Sequence, residues 1–231
     1  MTDKIRVAIL DDHQPIIDGY LYRLSSDPGI EVVGTVTWGD ELEPFLAQHS
    51  VDVLLLDVFV PTNQGNSDPY PILHLIPKLL KSYPEMNILV ISMHDQRTLI
   101  HAVLEAGASG YVLKDDQMTI RDLAATVRRV AEGEIHLSQH AYQQLQKLST
   151  NDLKTPLTRR QVEVLSLCAA RPDASTNDLA QALCIEPSTL RNLLSASYLK
   201  LEVRTRSGAV AKARQMGLIT PEIPPLDLAK L

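Results

Sequence analysis

The chain has 231 residues, 45% hydrophobic and 22% charged, with a formal net charge of −6, the profile of a globular chain long enough for two modest cores. No apolar run reaches the roughly 18 to 20 residues of a membrane-spanning helix, and the start M-T-D-K-I-R carries no apolar leader, so a cytoplasmic protein without a membrane partner is expected. Cys168 and Cys184 both fall in apolar helical stretches, which predicts small buried thiols and argues against a disulfide framework or a zinc site.

In chain order, V-A-I-L at 7–10 runs into Asp11 and Asp12, and I-E-V-V-G-T-V follows at 30–36. V-L-L-L at 53–56 ends in Asp57, I-L-V-I at 88–91 in Ser92, and G-Y-V-L at 110–113 in Lys114. Apolar runs without alternation suit strands covered on both faces. Helix-compatible stretches at 14–26, 39–49, 71–83, 95–107 and 118–132 lie between them. This order predicts an α/β fold: a doubly wound five-stranded parallel sheet, flavodoxin-like, in strand order 2-1-3-4-5. Strands 1, 3 and 4 are then neighbours. Asp11, Asp12, Asp57 and Ser92 would converge at the carboxyl rim, where such sheets bind ligands, and Lys114 would arrive from the adjoining edge strand.

Carboxylates brought this close repel one another unless a cation intervenes. Mg²⁺ suits them, because it takes hard oxygen ligands from one or two carboxylates and from phosphate. With a hydroxyl and an ammonium alongside, the set is equipped to accept a phosphoryl group. Asp57 would attack, Lys114 and the metal would offset the charge on the transferred oxygens, and Ser92 would hydrogen-bond one of them. A helix N-cap is the simpler alternative for Asp57 taken alone.

Residues 4–132 resemble a response-regulator receiver domain. The resemblance rests on D-D-H (11–13), Asp57 with Pro61 and Gly65 four and eight positions later, Ser92, and G-A-S-G-Y-V-L-K (107–114). It implies Asp12 and Asp57 as Mg²⁺ ligands with Asp11 assisting, the Phe59 backbone carbonyl as a further ligand, Tyr111 as an aromatic switch, and a sensor histidine kinase as phosphoryl donor. One departure stands out: G-N-S-D-P-Y-P (65–71) lengthens the loop after Asp57, which bears on how that rim closes and how a kinase docks. A phosphatase of the haloacid dehalogenase type also places an Asp after a buried strand, but it needs a second acid two positions on, where Phe59 stands. No enzyme is therefore expected. His94, His101, His136 and His140 lack compact metal spacing and read as solvated, with His94, two residues from Ser92, a candidate lining of the acceptor site.

Gly133 closes the last helical pattern of this region, S-Q-H-A-Y-Q-Q-L-Q-K-L (138–148) reads as a short polar helix, and S-T-N-D-L-K-T-P (149–156) is rich in turn formers. The expected organisation is a first domain at 1–132, a linker with one helix at 133–155, a helical domain at 156–220 and a tail at 221–231. Residues 156–220 hold nine Lys+Arg against five Asp+Glu, a charge of +4 that leaves −10 for the remainder. A basic domain attached to an acidic one points to a polyanion as partner.

Thr158 with Gln161, and Ser175 with Asp178, carry the spacing of capping boxes ahead of helical runs. Pro187 opens a third helix, and a fourth runs up to Gly217. Two short helices joined tightly, the second with a basic and amide face, suggest a helix-turn-helix reader. Arg191, Asn192 and Ser195, at i, i+1 and i+4, share one broad face.

Residues 156–219 resemble a LuxR-type DNA-binding domain through L-T-x-R (157–160), E-V-L (163–165), Leu179, Ala180, Ile185, Thr189 and K-L-x-V-x-x-R (200–206). A receiver followed by this domain is the NarL/FixJ type of transcriptional regulator. The resemblance implies that Arg191, Asn192 and Ser195, with Thr189 beside them, face the major groove of double-stranded promoter DNA, and that Lys200 and Arg206 lie near phosphates. It also implies a homodimer formed on activation through the last helix, with RNA polymerase as a further contact. Departures from the family pattern are Glu186, Leu193, Ser197 and the longer turn A-A-R-P-D-A-S (169–175). They keep open an alternative: a regulator with a degenerate DNA-binding helix, acting through protein contacts or independently of phosphorylation.

Overall fold

The computed structural model describes residues 4–146 and 157–220. The turn segment at 149–156 and the tail at 221–231 lie outside the described residues.

The first region runs β1 (Ile5–Leu10), α1 (Gln14–Ser25), β2 (Ile30–Val36), a 3₁₀ turn (Gly39–Glu41), α2 (Leu42–Gln48), β3 (Val53–Leu56), β4 (Pro61–Asn63) and β5 (Asn66–Pro69). It continues through α3 (Ile72–Ser82), β6 (Asn87–Ser92), α4 (Arg97–Glu105), β7 (Gly110–Leu113), α5 (Gln117–Arg121), α6 (Leu123–Ala131), β8 (His136–Leu137) and α7 (Gln139–Gln146). The main sheet has the order β2-β1-β3-β6-β7-β8, with every pairing parallel. Its first five strands are those the sequence predicts, in the predicted order.

The apolar runs lack alternation because successive residues enter two different cores. Ala8, Leu10, Leu54, Leu56, Ile88 and Val90 face the side covered by α2, α3 and α4. Val7, Ile9, Val53, Leu55, Leu89, Ile91 and Val112 face Ile17, Tyr20 and Leu24 of α1 and Leu123, Val127 and Val130 of α6. Strand geometry, with its period of two, divides one hydrophobic stretch between both layers.

A sixth strand was not expected. The short β8 pairs with β7, so β7 is not the sheet edge. The Ser138 N–H donates to the Tyr111 carbonyl (3.1 Å), and the Leu113 N–H donates to Ser138 Oγ (3.3 Å). Ala141 of α7 is fully buried in the sheet's core. Residues 136–146, placed within the linker from sequence, are thus built onto the sheet and against α4. The helix expected over 118–132 is divided at Asp122 into α5 and α6.

The long loop after Asp57 folds as an antiparallel hairpin, with Pro61 opposite Pro69 and Asn63 opposite Asn66. Asn63 Oδ1 accepts from the Gly65 N–H (3.0 Å), and Asn66 Oδ1 accepts from the Asp68 N–H (2.9 Å), Asx turns that close the hairpin from within. Asn63 Nδ2 donates to Asp40 Oδ2 (3.0 Å), fastening it to the 3₁₀ turn. The Tyr70 ring lies so close to Gly39 that a β-carbon there would approach it to 2.1 Å.

The second region comprises α8 (Arg159–Ala170), α9 (Thr176–Ala182), α10 (Pro187–Leu201) and α11 (Arg206–Gln215) around a separate core that includes Val164, Leu165, Leu179, Leu190 and Ala209. Both capping boxes form. Ser197, polar at a fully buried position, donates to the Leu193 carbonyl (2.7 Å), so its hydroxyl is satisfied within its own helix. Cys168 is buried, and burial pushes its thiol up to about 11. Cys184 departs from expectation: it is exposed, with φ +52° in the turn after α9. Hydropathy alone pointed it inward, whereas the tight turn between α9 and α10 turns it out.

Candidate functional site

The carboxyl rim of the sheet gathers the residues that end β1, β3, β6 and β7. The Asp57 N–H continues the ladder by donating to the Leu10 carbonyl (2.9 Å), and the Lys114 N–H donates to the Ser92 carbonyl (2.9 Å). Each functional side chain is therefore aimed by the backbone of a buried strand. Lys114 Nζ lies 2.6 Å from Asp11 Oδ2 and 2.7 Å from Asp57 Oδ2, with all three side chains almost excluded from solvent.

Charge is unbalanced here, three acids against one lysine. Burial, reinforced by Asp11, raises the Asp57 pKa to about 6, although Lys114 and the Phe59 N–H oppose the shift. Burial likewise raises Asp12, against the pull of His13. Burial alone would lower the Lys114 pKa, yet the two carboxylates hold it above the ordinary lysine value. A buried set with surplus negative charge and free oxygen lone pairs fits a small divalent cation.

Ligand atoms of Asp11, Asp12 and His13 fall within 4.8 Å of one another. His13, quoted from sequence only as part of a motif, belongs to this group: its Nδ1 is 2.8 Å from Asp12 Oδ1, and its N–H donates to Asp11 Oδ1 (3.0 Å). The oxygens rather than the imidazole match the preference of a hard cation. Phe59 stands beside them, its N–H donating to Asp57 Oδ1 (3.2 Å).

Ser92 is fully buried, and its Oγ accepts from the His94 N–H (3.2 Å). The His94 carbonyl in turn accepts from the Tyr111 hydroxyl (2.6 Å). Tyr111 is fully buried, and burial foremost pushes its phenol above the usual range. The His94 ring stacks on Phe59 with centroids 3.9 Å apart, so His94 lines the site and is not the solvated side chain expected from sequence. Its spacing of two from Ser92 was the one available signal. Its carbonyl contact with Tyr111 left none, since a backbone acceptor has no residue type to read.

In the helical region, Thr189, Arg191, Asn192, Ser195 and Lys200 of α10 are exposed. Lys200 Nζ donates to Gln161 Oε1 (3.0 Å). Arg206 differs from the others: half-buried, its Nη1 donates to the Ala174 carbonyl (2.7 Å). That contact holds the long turn between α8 and α9. Glu186 is exposed at the N-cap of α10. No helix of the described residues is long and apolar enough to cross a membrane.

Residues 7–128 match the family described as the response regulator receiver domain. Over an alignment of 237 positions, gaps included, the chain is 28% identical to the transcriptional regulatory protein DegU of Brevibacillus brevis, covering 94% of this chain and 96% of that protein. It is 27% identical over 228 residues to the oxygen regulatory protein NreC of Staphylococcus haemolyticus, covering 93% and 99%. Among solved structures, RcsB of Salmonella enterica serovar Typhimurium, bound to the rprA promoter in the presence of a phosphomimetic, superposes with a TM-score of 0.63 at 23% identity, over 91% of this chain and 98% of that one. At that identity the likeness speaks for the fold.

Proposed function

The chain belongs to the response-regulator receiver family, with the receiver-plus-helix-turn-helix arrangement of the NarL/FixJ type, and we propose that it is a transcriptional regulator of a two-component system, switched by a phosphoryl group on Asp57. The observation that carries this reading is the buried Lys114 bridge between Asp57 and Asp11, with Ser92 ending the neighbouring strand. Its proposed working parts are a receiver domain at 1–132 extended by β8 and α7, which are built onto its sheet, and a DNA-binding domain at 156–220.

A sensor histidine kinase is the proposed donor. Asp57 attacks the phosphorus, a carboxylate O–P bond forms, and the bond to the donor's imidazole breaks. Asp11, Asp12, Asp57 and the Phe59 carbonyl would hold Mg²⁺, which supplies positive charge against the phosphoryl oxygens. Lys114, already on Asp57, neutralises one of those oxygens, and the Ser92 hydroxyl hydrogen-bonds another. The same Ser92 hydroxyl accepts from the His94 N–H, and His94 holds Tyr111 through its carbonyl. The charge change at Asp57 is thereby linked to a buried aromatic switch.

The readout is homodimerisation and promoter binding in the cytoplasm, with Thr189, Arg191, Asn192 and Ser195 reading bases, Lys200 adding phosphate affinity, Arg206 acting near the backbone, and RNA polymerase as a further contact. The protein would not act as an enzyme on other substrates. Exposed Glu186 at the start of α10 favours one second reading, regulation through protein contacts, because it repels phosphate. Treatment with acetyl phosphate and Mg²⁺ tests the main reading. Wild type should take one acid-stable, base-labile label, and Asp57→Ala should take none; a labelled Asp57→Ala would overturn it.

A further inference from the structure

The inserted hairpin does more than close the rim. From Asp57 the chain passes through Val58, Phe59 and Val60, all buried, directly into β4. It returns along β5, where the Tyr70 N–H donates to the Val60 carbonyl (2.9 Å), and enters α3. Both β5 and α3 then touch α8, the first helix of the DNA-binding region.

Named side chains occupy this contact. His74 of α3 places Nδ1 3.5 Å from Glu163 Oε1 of α8, and both side chains are largely buried. Burial foremost, with Lys78 and Arg160 nearby, lowers the His74 pKa to about 4 against the pull of Glu163, so the imidazole is neutral at neutral pH. Glu163 is also paired with Arg160, which reaches on to the Leu183 carbonyl at the end of α9 (3.1 Å). One set of contacts thus runs from α3 through α8 to the turn that precedes α10.

A second support lies after Ser92. A β-carbon on Gly217, just past α11, would meet Thr98 Oγ1 at 2.3 Å and the Leu99 amide nitrogen at 3.1 Å, so that backbone rests on the first turn of α4. The two supports are carried by the segments that follow Asp57 and Ser92 in the chain. Meanwhile Arg191, Asn192 and Ser195 stay exposed. The docking orients the reading helix without covering it.

We propose that the hairpin Pro61–Pro69 and α3 form an intramolecular docking face for α8, which transmits the state of Asp57 to the orientation of α10. This rests on the reading of Asp57 as phosphoryl acceptor, and the docking itself is separable from it. Coupling of this kind needs an element that both sites bias. Here that element is the segment from Asp57 through the hairpin to α3.

Hydrogen–deuterium exchange on the full chain, with small-angle scattering, tests both halves. Residues 62–68 are replaced by Gly-Gly in one variant, and His74→Ala is a second, milder one should the first misfold. Without phosphorylation, exchange across α8 should rise about fivefold in the hairpin variant, with a smaller rise in His74→Ala, and the radius of gyration should increase. After acetyl phosphate and Mg²⁺, α8 exchange should change in wild type, stay fixed in Asp57→Ala, and respond severalfold less without the hairpin. Equal α8 exchange and equal radius in wild type and both variants would overturn the docking. An undiminished phosphorylation response without the hairpin would overturn the transmission. If mass spectrometry finds no label on Asp57, the acceptor reading and the transmission fail together, and the unphosphorylated comparison still decides the docking.

Discussion

Lys114 and Asp57, 57 positions apart in the chain, meet with 2.7 Å between Nζ and Oδ2 in a setting from which both side chains are almost excluded from water. Removing the ammonium leaves Asp57 and Asp11 as uncompensated buried charges. Lys114→Ala is expected to destabilise the protein by about 3 kcal/mol at neutral pH. In an Asp57→Ala background the same substitution should cost clearly less, since one carboxylate is already gone. Urea denaturation of the four proteins checks this; additive effects would contradict the shared bridge.

The raised pKa of Asp57 fixes the sign of a pH effect. The folded group, at about 6, binds its proton more tightly than the unfolded one at 3.8. The associated stabilisation is fully present below about pH 4 and is lost as pH rises through about 6. In metal-free buffer, Asp57→Asn should therefore gain stability relative to wild type between those values. Thermal melts across that window measure the difference, and a flat difference would refute the shift.

Tyr111 donates to the His94 carbonyl from a fully buried position. Tyr111→Phe leaves that carbonyl unpartnered by the hydroxyl and should lower stability by about 1 kcal/mol. Labelling of Asp57 should persist while the phosphorylation-dependent change in DNA binding weakens. Loss of labelling instead would make Tyr111 part of the transfer machinery.

Two arginines of the DNA-binding region should behave differently. Exposed Arg191→Ala is expected to leave stability unchanged while removing about 1 to 3 kcal/mol of base discrimination. Arg206→Ala, which cuts the contact to the Ala174 carbonyl, should lower stability by about 1 kcal/mol as well as weakening binding across all sequences. Chemical denaturation beside a binding series at two salt concentrations separates them. Equal stability of both variants would contradict the structural role of Arg206.

The cluster around Asp57 was legible in the sequence because buried parallel strands write themselves as apolar runs, and Asp11, Asp57, Ser92 and Lys114 each stand where a run stops. The strand order then follows from a fold rule. What stayed illegible depends on contacts that residue type does not encode. Short, half-polar β8 becomes a strand only because the β7 backbone offers it carbonyls. The hairpin at 61–69 has almost no β-forming side chains and is held by Asn63, Asn66 and Asp40. The structural role of Arg206 was hidden as well, because nothing in its local sequence announces the Ala174 carbonyl 32 positions away.

The most direct measurement captures fragmented genomic DNA on the purified full-length protein, with and without acetyl phosphate and Mg²⁺, and sequences what is retained. Phosphorylation should enrich two-fold symmetric sites, and Asp57→Ala should abolish that enrichment, as expected of a dimer reading paired half-sites. Equal enrichment of the same sites in both states, or in Asp57→Ala, would contradict phosphoryl control of DNA reading.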